Sequence, residues 1–442
     1  MRFIVSLTTG KQARGKGQRM NPLTAVLLGA GARGAKAYAP YALKFPHDLK
    51  FVAVAEPNEE RRMNFAHTYG LDADGVFSSW EETLARPRMA DIAIIGTQDR
   101  MHFEPAMKAL ELGYHVLLEK PISPDPIECV QLEQAAHKYS RLLTICHVLR
   151  YTPFWSALRQ VVQSGQIGKI ASIQLNENVG FFHMAHSFVR GNWRNSDESS
   201  PMILAKSCHD MDVIFWLMDE ECKRVTSFGS LIYFHQGNAP EGAPDRCLDG
   251  CPAARTCPYY APGFYLGKGH EHWAGLITDD PSSEGILRAL NDGPYGRCVY
   301  KCDNNVVDHQ VVNMEFASGA TVMFSMSAFT HEVSRSIQIM GTAGEIRGHM
   351  ESNKMTVYEF ASGRETEIRT AAEAEGHGGG DAGIVASFLE EVRGYNGGES
   401  ITSASASVRS HLMAFAAEES RKNDGKSVNI AEFRTSLMEL PV

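Results

Sequence analysis

Apolar positions in the first third of the chain fall in short unbroken runs: residues 23–28 (LTAVLL), 51–55 (FVAVA), 91–96 (DIAIIG), 114–118 (YHVLL) and 142–147 (LLTICH). Runs of this length bounded by turn or charged residues predict strands buried on both faces. Between them, residues 80–86, 103–112 and 127–139 have helical spacing. Strand and helix alternate, which predicts a parallel sheet covered by helices on both sides. Ligands of such sheets lie at the carboxyl ends of the strands. The residues to watch are therefore Thr97, Gln98, Glu119, Lys120 and His147. After residue 150 the pattern changes. Residues 171–178, 309–316 and 321–329 alternate polar and apolar, and Ala317-Ser318-Gly319 joins the last two as a hairpin. Residues 336–340 continue the sheet, and residues 384–393 and 402–422 read as helices. There is no internal repeat, and no apolar run approaches the roughly 20 residues of a membrane span.

Composition narrows the function. A length of 442 residues suits two domains. Lys+Arg 43 against Asp+Glu 52 leaves a net charge of −9. An acidic chain is not drawn to nucleic acid or to an anionic membrane. Residues 1–20 carry Arg2, Lys11, Arg14, Lys16 and Arg19 and no acid. They read as a disordered extension, or as sequence upstream of a start at Met20. No secretion signal is evident, and a cytoplasmic location is expected. The domain division is then 21–149 and 150–442, with Arg150-Tyr151-Thr152-Pro153 at the crossover and Arg150 a candidate to face the cleft.

The first strand runs into Gly29-Ala30-Gly31-Ala32-Arg33-Gly34, a G-x-G-x-x-G between strand and helix. Gly29 allows the tight turn, Gly31 admits a pyrophosphate, and Gly34 lets the helix pack on the strand. Glu56 ends the second strand, where a carboxylate holds the ribose hydroxyls of NAD and repels a 2′-phosphate. Arg61 and Arg62 lie close by, so NADP is disfavoured without being excluded.

Glu119-Lys120-Pro121 follows a later strand. With Thr97-Gln98-Asp99-Arg100-Met101-His102 and His209-Asp210-Met211-Asp212, the chain from about Leu23 onward resembles the Gfo/Idh/MocA family of NAD(P)-dependent oxidoreductases. The resemblance implies an α/β fold: an N-terminal Rossmann domain and a C-terminal α+β domain with a large, mostly antiparallel open sheet. It implies cofactor contacts from Gly29, Ala30, Gly31, Ala32, Arg33, Gly34, Glu56, Thr97, Gln98, His102, Glu119 and Lys120. It places Lys120 beside the nicotinamide and the substrate hydroxyl, and a homo-oligomer (dimer or tetramer) on the open sheet. A lysine beside a cationic ring can accept or relay the hydroxyl proton. One departure matters. Many relatives carry an Asp four residues before the second-domain histidine; here His209 is preceded at that place by Ala205, with Lys206 next to it. His209 remains an acid/base candidate. The bland alternative is a Lys206–Asp210 ion pair beside an interior histidine.

Residues 181–194 concentrate His183, His186, Arg190, Trp193 and Arg194. Arginine grips carboxylates and tryptophan offers a flat apolar face. These residues and Lys206 are candidate contacts to a sugar, cyclitol or sugar acid; the alternative is an aromatic loop between domains. Residues 236–304 read as an insertion over the cleft or at a subunit contact. There Cys247, Cys251, Cys257 and Cys298 are candidate ligands of a structural zinc or, as a lesser alternative, of an iron–sulfur cluster, against plain reduced thiols. His377 and Asp381 flank a glycine-rich connector and are weaker candidates for a ligand contact. The reading is an NAD-dependent enzyme transferring hydride between the cofactor and a carbohydrate-like alcohol. Two alternatives stand beside it: a glycosidase or lyase using transient oxidation, and a catalytically silent sensor of NAD or sugar.

Overall fold

The computed structural model describes residues 2–7 by their backbone, and residues 21–371 and 377–439 with side chains. The basic leader departs in part from the disordered extension expected of it. Arg2–Leu7 form strand β1, paired parallel with the edge of the larger sheet; residues 8–20, including Met20, lie outside the described residues.

The first sheet holds β2 (Leu23–Leu28), β3 (Leu49–Ala55), β4 (Val76–Phe77), β5 (Ile92–Ile95), β6 (His115–Leu118) and β7 (Leu143–Ile145). Their order is β4-β3-β2-β5-β6-β7, every pair parallel. The order reverses between β2 and β5, where an open parallel sheet leaves its crevice. Gly29 turns out of β2 at φ +91°, and a Cβ there would stand 2.8 Å from the Gly96 carbonyl oxygen. The segment after the glycines, expected as ordinary helix, is wound wider: Ala32–Tyr38 carries a bond from the Ala39 amide to the Gly34 carbonyl (3.0 Å). A Cβ on Gly34 would meet the Gly29 carbonyl oxygen at 2.2 Å, so the backbone is pressed against its own loop. Such wide turns cluster at functional sites.

The second sheet has ten strands in the order β1-β15-β14-β13-β12-β8-β11-β10-β9-β16. They are β8 (Ile170–Asn178), β9 (Cys222–Ser230), β10 (His309–Phe316), β11 (Thr321–Ser327), β12 (Ser334–Gly341), β13 (Gly344–His349), β14 (Lys354–Glu359), β15 (Glu365–Thr370) and β16 (Val428–Asn429). Pairing is antiparallel except for β1 with β15 and β8 with β11. The expected hairpin joins β10 to β11, with Gly319 at φ +88°. Alternation buries Val312, Met314 and Phe316 and leaves Val311 outward.

Two late helices bind the halves together. Helix Gly380–Arg393 buries Ile384, Val385, Phe388 and Leu389 with Leu27, Phe51 and Ile94, completing the core of the first sheet. Helix Ala404–Lys422 touches β7 through Thr144 and Ser403, and β9 through a bond from the Ser227 amide to Ser420 Oγ (2.9 Å). Its many Ala and Ser residues let backbones approach closely on both sides. Within residues 236–304, helices Ala261–Tyr265, Glu271–Ala274 and Ser283–Asp292 surround a small core of Cys247, Ala261, Tyr265, Ala274, Ile286 and Leu290. Among the described residues, no helix is long and apolar enough to cross a membrane.

Gly34→Ala should therefore overpack the glycine loop. The expected loss is about 1–3 kcal/mol of folding stability, read by urea denaturation, with weakened NADH binding by fluorescence titration.

Candidate active site

The crevice beyond β2 and β5 is built from backbone first. A Cβ on Gly31 would meet nothing within 4 Å, so the loop opposite it is open. Glu56 ends β3; its Oε2 accepts the Ala30 amide (2.8 Å) and its Oε1 the Asn58 amide (3.0 Å). The carboxylate thus stands against the glycine loop, as a ribose-binding acid requires. After β5, Thr97 is half-buried and Gln98 exposed. His102, expected at the cofactor, is buried instead: Nδ1 lies 2.7 Å from the Pro121 carbonyl and Nε2 3.1 Å from that of Thr97. It ties the loop after β5 to the loop after β6 and positions both.

Glu119 is the hub. Its Oε1 accepts Arg33 Nε and the Tyr38 hydroxyl, both at 2.5 Å, and its Oε2 accepts the Lys120 amide at 2.6 Å. Burial alone would raise its pKa, yet Arg33 and Lys120 hold it below the usual carboxylate range. Lys120 projects into the cleft. Its Nζ donates to the Ala205 carbonyl (2.8 Å) and lies 5.9 Å from the Trp193 ring centroid. The backbone carbonyl of Ala205 thus receives the lysine at the place where the resemblance led to the expectation of an acid.

Four histidine rings stand in a row beside Lys120. Centroids are 5.4 Å apart from His411 to His147, 5.9 Å from His147 to His209 and 6.1 Å from His209 to His377. His209 is buried, and its Nδ1 has no hydrogen-bond partner among the described residues. Burial, with Lys120 and the neighbouring rings, pushes its pKa well below the ordinary value. His411 is fixed as a neutral ring: Nδ1 donates to the Ser407 carbonyl (2.8 Å) and Nε2 accepts the Ile122 amide (3.0 Å). Sequence reasoning marked His147 by its place after a strand, but His411 sits mid-helix with nothing local to distinguish it.

The second-domain candidates separate into two groups. Lys120, Trp193, Lys206, His183 and His209 come together. Trp193 is aimed by Asp99, which accepts its indole N–H (3.1 Å) and the Ser200 hydroxyl (2.5 Å). Lys206 pairs with Glu177 (3.1 Å), not with Asp210; Asp210 pairs with Arg335 (2.8 Å), which also meets Glu177 (2.6 Å). His183 is enclosed, its Nδ1 unpartnered among the described residues, its ring 5.2 Å from Trp273 of the insertion. The remaining candidates brace the insertion instead of lining the cleft. His186 Nδ1 lies 2.7 Å from the Tyr265 hydroxyl and its ring stacks on Tyr295. Arg190 donates to the carbonyls of Arg297 and Tyr259 (both 2.7 Å), and Arg194 grips Asp303 with two bonds of 2.8 Å. Arg150 is also turned inward, bidentate on Asp212 (2.6 and 2.7 Å).

The zinc expectation is corrected. Cys247, Cys251, Cys257 and Cys298 do line one narrow pocket, but Arg190 shares it, its Nη2 3.8 Å from Cys247 Sγ. A guanidinium among the sulfurs opposes a dication there. Burial also pushes the Cys257 and Cys298 thiols up. Among the described residues, no group of three or more His, Cys, Asp or Glu is arranged to hold a metal ion.

Comparison with known proteins decides the lineage. A model described as "Oxidoreductase family, NAD-binding Rossmann fold" matches residues 23–147, and its partner, "Oxidoreductase family, C-terminal alpha/beta domain", matches residues 159–430. The chain belongs to the Gfo/Idh/MocA oxidoreductase family. Putative oxidoreductase YteT of Bacillus subtilis is 24% identical over 316 residues, 68% of this chain and 72% of that protein. D-glucoside 3-dehydrogenase of Escherichia coli is 28% identical over 152 residues, 34% of this chain and 42% of that one. Levoglucosan dehydrogenase, solved with NADH and levoglucosan, shares the fold at TM-score 0.69 and 19% identity, covering 93% of this chain and 100% of that one.

In this family member the buried histidines, those of the row and His186 under the insertion, should set acid stability. Burial first of all lowers His411 to about 3 and His186 to about 4, and drives His147 and His209 well down. The unfolded chain protonates these rings near pH 6.5 and the folded one does not, so stability present above that pH is lost as pH falls below it. The urea midpoint should drop between pH 7.5 and 5.5. His411→Gln should flatten that dependence by up to about 1.4 kcal/mol per pH unit.

Proposed function

We propose that this oxidoreductase is an NAD-dependent dehydrogenase that oxidises a secondary alcohol of a carbohydrate-like substrate. The observation that carries the reading is the convergence of Lys120, Trp193 and His209 beyond the β6 carboxyl end, beside an open glycine loop with Glu56 at its rim. The glycine loop and Glu56 fit NAD: open space over Gly31 suits the pyrophosphate, and the Glu56 carboxylate suits ribose hydroxyls and opposes a 2′-phosphate. NAD, when bound, supplies the hydride acceptor.

The remaining work belongs to the chain. Lys120 can exchange its bond to the Ala205 carbonyl for one to the substrate oxygen that loses its proton. Trp193 offers a flat face to sugar C–H groups, held still by Asp99. His209, buried beside Lys120 and kept neutral, has an Nδ1 without a hydrogen-bond partner among the described residues. The relatives' names point to the substrate class, glucosides and levoglucosan among them. A cytoplasmic site of action is part of the same reading.

The test is NADH formation from NAD and from NADP with methyl glucoside, levoglucosan and gluconate. Oxidation of at least one is expected, with NAD preferred. Lys120→Met should lower kcat by about 10²–10⁴-fold and leave NADH affinity unchanged. Full turnover in that variant, or no oxidation of any of these compounds by the wild type, overturns the reading. A second reading has one observation behind it: 2,7-anhydro-N-acetylneuraminate hydratases are among the relatives, at 26% and 24% identity. Loss of water from that substrate without net NADH would favour it.

The same proposal includes a homo-oligomer on the open face of the larger sheet. Phe228 on β9 and Val311 on β10 are cross-strand partners, 55% and 39% exposed, and Met323 on β11 is 42% exposed. An apolar patch of this kind fits a second copy of the chain. Phe228→Asp should convert the oligomer to monomer in sedimentation velocity.

A further inference from the structure

We propose that His377, aimed by Asp381, is a proton-transfer residue of this site and fills the role left open by the missing acid at Ala205. The inference rests on the dehydrogenase reading above and adds a residue to it.

His377 stands at the head of helix Gly380–Arg393, far from the family motifs in sequence. Its backbone is left-handed at φ +46°, and Gly378 and Gly379 follow at +62° and +86°. A non-glycine residue seldom holds that conformation, and such positions gather at functional sites. Here the turn sends the ring toward His209, centroids 6.1 Å apart. Nδ1 lies 3.1 and 3.2 Å from the two Asp381 oxygens and 3.5 Å from Arg33 Nη1; the two shorter contacts are to acceptors and put the proton on Nδ1. Nε2 is then the basic nitrogen, and no hydrogen-bond partner takes it among the described residues. The carboxylate behind the ring favours the imidazolium that forms when Nε2 gains a proton.

Asp381 is itself anchored. Arg33 of the glycine loop donates to both its oxygens (2.8 and 3.3 Å) and reaches on to Glu119. The groups facing His377 are therefore Asp381 on the helix that follows it, Arg33 on the glycine loop, and Lys206 and His209 from the second domain. Burial, Arg33 and Lys206 favour the neutral ring, and Asp381 opposes them.

His209 and His377 differ in access. His209 is enclosed, with cations and rings around it that disfavour a charge. The His377 side chain is 41% exposed, while Asp381 is 7% exposed, so only the ring reaches the mouth of the cleft. This gives a proton a way in and out. The substrate C–H leaves as hydride to the nicotinamide, the O–H proton goes to His377 Nε2, and the C–O pair becomes a carbonyl. Nδ1–H stays on Asp381, and the imidazolium returns its proton to water. Reduction runs the same steps backward.

The experiment has two arms on the full chain. In the first, ¹⁵N-histidine spectra are taken with and without His377→Gln to assign the ring. A neutral Nδ1–H tautomer is expected at neutral pH, and Asp381→Asn should move its charging midpoint to lower pH, because the carboxylate that favours the cation is gone. In the second, turnover is measured with whichever of methyl glucoside, levoglucosan or gluconate the wild type oxidises. His377→Gln should lower kcat by about 10²–10⁴-fold and erase the acid limb of the pH profile, with NADH affinity retained. Asp381→Asn should keep that limb and shift it to lower pH. An Nε2–H tautomer, or a His377→Gln enzyme with wild-type turnover and an intact acid limb, overturns the proposal while the dehydrogenase reading stands. A wild type that oxidises none of the three overturns both.

Discussion

A single buried carboxylate, Glu119, organises the catalytic end of the molecule. It is 3% exposed, and a carboxylate taken out of water costs several kcal/mol unless its oxygens are met. Arg33, Tyr38 and the Lys120 amide meet them. Each partner belongs to a different job. Arg33 comes from the glycine loop, Lys120 is the residue proposed to meet the reacting hydroxyl, and Arg33 continues to Asp381 at the head of a helix that fills the core of the first sheet. The requirement to neutralise one charge therefore aligns cofactor loop, lysine and late helix together. Loosening any of them would expose the others to an unpaired charge in a place water does not reach.

The other side of the cleft uses the same physics with different residues. Lys206, Glu177, Arg335 and Asp210 form a buried chain of alternating charge between β8, β12 and the helix that carries His209. Arg150 and Asp212 form a second buried pair at the crossover. These pairs tie β8, β12, the crossover and the helix that carries His209 to one another and fix the direction of His209. They also explain why so many ionisable groups lie close together without all being reactive: most are committed to one another. Of the cleft residues, Lys120 holds a backbone carbonyl and, among the described residues, is in no ion pair, so a substrate oxygen can take the carbonyl's place.

The insertion follows a different rule. Its own core is small, and it is pinned by Arg190 and Arg194 to backbone carbonyls and to Asp303, and by His186 to Tyr265 and Tyr295. Residues rich in hydrogen-bonding capacity, which from composition alone suit a sugar, are spent on tethering. Trp273 reaches the ring of His183, so the insertion also packs against the cluster around Lys120 and Lys206.

The first sheet, the glycine loop, Glu56, the Glu119-Lys120-Pro121 turn and the hairpin of the second sheet were legible in order, because each depends on local rules: run length, periodicity and glycine spacing. The family resemblance, resting on those same motifs, carried Lys120, His209 and the gap at Ala205. What local rules could not reach were choices between partners distant in sequence. Whether Lys206 pairs with Asp210 or Glu177 depends on where β12 sets Arg335; whether Arg190 meets substrate or carbonyl depends on the course of the insertion; whether four cysteines bind metal depends on the guanidinium among them. The row from His411 to His377 joins residues more than two hundred positions from the other two rings, His147 and His209, or separated from them by most of the second sheet, and only the packing of two late helices brings it into being. Sequence by itself determined the elements, the cofactor loop and the lysine. Tertiary structure decided which charges cancel and which group is left free to react, because pairing energy depends on distance in space and sequence spacing does not record it.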